Sequence, residues 1–188
     1  VSVGNAPIID PPSRENDKPQ DTQVVFGDLN GYEWASDAIK NLYENKVISG
    51  DGSGNFFPSR NITREEFVKM ICLAFNIYFP AEEGDDIEFE DVSGQDWFYP
   101  YVRIAKMNGL VNGKSETLFG TGESITRQDM ACMLYNLLIY KGVNIVPENN
   151  KFSDNEMISL YSVKAVDTLT STGIISGFDD NTFRPLES

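Results

Sequence analysis

Apolar positions between Trp34 and Tyr43 fall at helical spacing: Trp34, Ala35, Ala38, Ile39, Leu42 and Tyr43 share one face. A second periodic stretch follows, with Phe67, Ile71, Ala74 and Phe75 expected on its buried side. Thr63 stands before it as a good N-cap, and Glu66 three residues on completes a capping box. Between the two stretches, Gly50 fits a helix C-cap or the tight turn beyond it, and Asp51 to Asn55 turn the chain. The segment reads as helix, structured loop, helix.

That pattern recurs. Segments opening at Phe26, Phe89 and Phe152 place Asp28, Asp91 and Asp154 two residues on, 63 residues apart in each case. Aromatic residues follow at Trp34, Trp97 and Tyr161. Each unit then carries an apolar pair ahead of Gly50, Gly113 or Gly177, with Phe56, Phe119 or Phe183 six residues later. Ile62-Thr63-Arg64-Glu65-Glu66 and Ile125-Thr126-Arg127-Gln128-Asp129 then open the second helices of units one and two. The stretch from Met130 to Tyr140 is apolar almost all round, which predicts that these second helices pack centrally on one another. The units span 26–88, 89–151 and 152–188. By the same count the third threonine and arginine fall past Ser188, so unit three lacks its last helix. Residues 1–25, with four prolines and no periodicity, read as a linker or an extended arm.

Composition narrows the chemistry. The net charge of −14 comes without a basic stripe, which argues against nucleic acid. Any anionic ligand therefore depends on a few local cations. There is no histidine, so the commonest general base and metal ligand is missing. Carboxylate pairs such as Glu65/Glu66 lie adjacent on a helix and point in different directions, which does not serve paired-acid hydrolysis. Asp51, Ser53 and Asn55 resemble the start of a calcium loop, yet Phe56 and Ile62 stand where glycine and glutamate are required. Cys72 and Cys132 sit in apolar helical runs as small hydrophobes, with a disulfide as the other reading. No apolar run is long enough to span a membrane, and no signal peptide is visible. A non-catalytic module without cofactor or metal is expected.

The opening F-x-D-V, the W-x-x-x-A-I helix, the I-S-G loop ending in F-x-P and the I-T-R-x-E helix start resemble the S-layer homology family. The resemblance covers nearly all of Phe26 to Ser188. It implies an all-α fold, three tandem helix–loop–helix repeats in a pseudo-threefold arrangement around a central helix bundle. It also implies an extracellular role at the cell wall or S-layer of a Gram-positive-type bacterium. There the module would bind secondary cell-wall polysaccharide, often bearing a pyruvylated amino sugar, in grooves between repeats. Packing against neighbouring surface-layer proteins without glycan recognition is the alternative. The sequence departs from the family pattern at Phe119-Gly120-Thr121, at Gln128-Asp129 and at Tyr161.

By that analogy each groove combines the arginine of one unit with the aspartate and aromatic residue of the next. Arg64 pairs with Asp91 and Trp97, and Arg127 with Asp154 and Tyr161, while Asp28 and Trp34 face an arginine absent from this chain. An arginine at a helix start adds a carboxylate-matching fork to N–H groups that already favour anions. Each residue also has a structural reading. The tryptophans fit a core face, the aspartates fit helix caps, and the arginines fit salt bridges within the protein.

Overall fold

The computed structural model describes residues 26–77, 87–147 and 151–188; the expected linker at 1–25 lies outside them. Five α-helices appear there: α1 (Ser36–Glu44), α2 (Arg64–Ala74), α3 (Tyr99–Met107), α4 (Arg127–Tyr140) and α5 (Val163–Ser171). Single 3-10 turns at Glu33–Ala35 and Asn155–Met157 precede α1 and α5. The fold is mainly helical, with repeated helix–loop–helix units. Among the described residues there is no sheet, only an isolated antiparallel bridge between Thr63 and Ser124.

The chain divides into two compact units. One holds 26–60 and 73–77 of the described residues, the other Asn61–Cys72 with 87–147 and 151–188. In the first, the Phe26 ring meets Tyr43 edge-on and Phe56 at a tilt, with centroids 5.4 and 5.5 Å away. Ile39 is the buried residue of α1. The helix ends at Asn45 with Lys46 left-handed just beyond it, at φ +60°, and Gly50 is left-handed in the turn further on, at φ +64°. Asp51 accepts from the Ser53 and Asn55 backbones and from the Asn55 amide, so this loop is a side-chain-stapled turn.

In the second unit α4 packs along α5, not chiefly along another second helix as its apolar circumference predicts. Ala131, Ala165, Val166, Leu169, Ile158 and Phe183 form the core there. The second helices meet at their starts instead. Arg64 N donates to Glu123 O at 3.0 Å and Ile125 N to Ile62 O at 3.0 Å. α2 buries Val68, Ile71 and Cys72, a face rotated from the expected one, and Phe75 is 44% exposed. Both cysteines are free.

The capping box forms at Thr63: its N–H reaches a Glu66 oxygen at 3.0 Å, and Glu66 N donates to Thr63 Oγ1 at 3.4 Å. Thr126 caps α4 through Asp129 N, but the shorter Asp129 carboxylate is engaged elsewhere.

Candidate functional site

The repeat motif is a set of interlocking contacts. Asp28 accepts from the Phe56 and Phe57 N–H groups, and Asp154 from those of Phe183 and Arg184. Asp91 accepts from three, Phe119, Gly120 and Thr121, at 2.7–2.8 Å. The third exists because threonine stands where the pattern has proline, which has no N–H. Thr121 also returns its hydroxyl to Asp91 O at 2.8 Å.

These carboxylates therefore tie each loop back to its unit's opening. They cap no helix, since α1 and the turn after Asp154 have no side-chain cap. The Phe56 amide, opposed by slight burial, leads in holding Asp28 below the usual carboxylate range. Burial pushes Asp91 up, but the Thr121, Phe119 and Gly120 amides outweigh it and bring it below its ordinary value.

The opening phenylalanine fixes the glycine. Phe89 packs on Phe119 and Phe152 on Phe183, with centroids 5.8 and 5.5 Å apart. A Cβ on Gly113 would strike the Phe89 ring and the Leu118 and Ser115 carbonyls, and one on Gly177 the Phe152 ring. At both positions close approach, rather than a left-handed turn, demands glycine.

The arginines occupy the first positions of α2 and α4, as expected, but their helix starts are closed to anions. Arg64 N is taken by Glu123 O, Arg127 N by Glu187 O and Gln128 N by Pro185 O. Arg64 is buried, at 4% exposure. Its Nε donates to Phe119 O at 3.0 Å, Nη2 to Asn112 O at 3.2 Å and Nη1 to Asp129 Oδ2 at 3.0 Å. Arg127 repeats the first two contacts, with Phe183 O and Ser176 O, both at 2.9 Å. It stacks over Phe178 and Phe183. Burial lowers its pKa, and Glu187 partly opposes that.

A cavity of about 500 Å³ lies in the second unit, lined by Arg64, Asn112 to Lys114, Asp129, Cys132, Tyr135, Asn136, Tyr161 and Lys164. Arg64 thus shares a pocket with Tyr161, whereas Trp97 does not line it. Trp97 lies under the Lys69 ammonium, 5.4 Å from the ring centroid. Tyr161 is 62% exposed, and its hydroxyl donates to Asp129 Oδ1 at 2.8 Å, which fixes the ring at the pocket. Burial and then Asp129 raise its pKa.

Neither tryptophan is core: Trp34 is 85% and Trp97 54% exposed. Trp34 and Asp28 belong to the first unit.

Lys114, Lys164, Asp129, Tyr135 and Asn136 are among the pocket residues that sequence reasoning did not single out as binding groups. The available signal was Lys164 one helical turn after the aromatic position. Burial pushes the Cys132 thiol up to about 12, which disfavours the thiolate. Among the described residues no cluster of metal-ligating side chains occurs.

The S-layer homology domain profile matches residues 25–68, 88–131 and 151–188, three successive copies. The chain belongs to the S-layer homology domain family. This family is non-catalytic, mediates anchoring at the cell wall and S-layer, and is associated with the extracellular surface of Gram-positive bacteria.

Three relatives illustrate its range. Exoglucanase XynX of Acetivibrio thermocellus is 32% identical over 86% of this chain, which spans 15% of that protein. The surface-layer 125 kDa protein of Lysinibacillus sphaericus is 28% identical over 83%, with 12% of its length covered. A cellulosome-anchoring protein of A. thermocellus is 27% identical over 64%, with 27% covered. The S-layer homology repeats are thus a small part of proteins with different names.

Proposed function

We propose that this chain anchors a surface protein by binding secondary cell-wall polysaccharide, with an acidic, pyruvylated amino sugar seated against Tyr161. The observation that carries this reading is Tyr161, exposed and held by Asp129 at a pocket that Arg64, Lys114 and Lys164 line. A fixed aromatic face suits a sugar ring, and local cations suit an acid in a chain of net charge −14. Trp34 and Trp97 offer similar exposed faces in the other repeats. Asp28, Asp91, Asp154, Arg64 and Arg127 contribute by holding the loops around such faces. The repeats at 26–88, 89–151 and 152–188 are the binding units, and the full protein's cargo is carried outside them.

A pull-down with purified wall sacculi, before and after chemical removal of the secondary polymer, tests the reading. Wild-type chain binds only untreated walls, and Tyr161→Ala binds at least about tenfold less. Binding that survives polymer removal would overturn it. A second reading, contact with neighbouring surface-layer proteins, draws on Ile139, Val143 and Val146, exposed at and beyond the end of α4.

A further inference from the structure

Arg64 is the cation that the repeat motif offers to an acidic ligand, and the structure has already spent it. Three of its nitrogens are engaged, two on backbone carbonyls and one on Asp129, and its charge is matched by that carboxylate. Pulling the guanidinium toward a ligand would leave Phe119 O and Asn112 O unpaired beside a buried charge, which is costly. A different group has to meet an acid in this pocket.

Two lysines line the same cavity. Lys114 follows Gly113 in the loop, where the Phe89–Phe119 packing fixes the backbone. Its ammonium pairs with Glu123, and both side chains are about half exposed, so the pair exchanges readily with solvent. Lys164 is exposed on α5, one turn after Tyr161. Its ammonium sits over the Tyr135 ring, 5.5 Å from the centroid, and makes no ion pair among the described residues. The aromatic face beneath it holds the stem in place and competes weakly with a carboxylate. Lys164 and Tyr161 thus present a charge and an apolar plane from one helix end.

We infer that Lys164, seconded by Lys114, reads the carboxylate of the acidic sugar, while Arg64 shapes the pocket without touching the ligand's charge. This assignment rests on the glycan reading above and names which residues give it selectivity. Acid recognition then comes from a helix position outside the repeat motif.

Calorimetric titration of the full chain tests it, using the methyl glycoside of pyruvylated N-acetylmannosamine and the same glycoside without the ketal. Wild type is expected to prefer the pyruvylated sugar by roughly tenfold or more, a preference that shrinks as salt rises. In Lys164→Gln the ratio falls to within about twofold, and in Lys114→Gln it falls by a smaller factor. Lys164→Arg restores most of the ratio, because it returns a cation to the same place. Lys164→Gln with its preference intact would overturn the lysine assignment and leave the glycan reading standing. A wild-type chain that binds neither sugar would remove both.

Discussion

Arg64 and Arg127 open equivalent helices and make the same first two contacts, yet one is locked and the other only braced. Each sends Nε to the carbonyl of a loop phenylalanine and Nη2 to the carbonyl just before a motif glycine. Only Arg64 has a carboxylate on its third nitrogen, from Asp129 on α4. Among the described residues no carboxylate lies within ion-pair distance of Arg127, which relies on the rings of Phe178 and Phe183. A motif arginine is therefore first a staple for the loop of the following repeat. Whether it is also neutralised depends on a residue outside its own motif.

Truncation separates the two most strongly. Arg64→Ala leaves two carbonyls and Asp129 without their donor and is expected to cost about 3–5 kcal/mol. Arg127→Ala should cost only about 1–2 kcal/mol, as its loop lies nearer water. Urea denaturation of the full chain reads both values, and equal losses would break the comparison.

A pH series sharpens it next. Asp91 holds the loop that receives Arg64, and its folded pKa lies below its unfolded value. Its contribution is present above about pH 4 and is lost as pH falls through the folded pKa. Asp91→Asn should therefore be less stable near neutrality and lose less between about pH 6 and pH 3 than wild type, measured by thermal melts.

The smallest expected effect is that of Tyr161→Phe, which removes one of two groups on Asp129 and leaves the Arg64 bridge. A loss of about 0.5–1.5 kcal/mol is expected in the same denaturation, and a loss as large as that of Arg64→Ala would mean the ion pair depends on the phenol.

Much of this was legible in the chain. The 63-residue spacing of Asp28, Asp91 and Asp154 marks the loop clamps, and Thr63 with Glu66 marks a capping box that forms. The spacing does not reveal what the aspartates hold, because backbone N–H groups carry no sequence signature. Exposure of Trp34 was hidden for a related reason: apolar residues at helical spacing read as core, yet Trp34 lies in a 3-10 turn before α1. The pocket was the least visible feature. It gathers Arg64 from one repeat, Lys114 and Asp129 from the next and Tyr161 with Lys164 from the third. No single-repeat pattern reports such a gathering. Asp129 stands three residues after Thr126, where Glu66 closes the box in the first repeat, but its shorter side chain meets Arg64 and Tyr161 instead.

The bridge between Thr63 and Ser124 gives the repeats a different grammar in space from the one they have in sequence. Residues 61–72 end the first repeat's motif but fold with the second and third. The duplicated stretch and the folding unit are thus out of phase by part of a helix. Shuffling or trimming this protein at 88/89, where the repeat count invites a cut, would strand Arg64 from its partners. A cut ahead of Asn61 keeps Arg64 with its partners but parts residues 73–77 from the first unit, so neither position is a clean seam for chimeras.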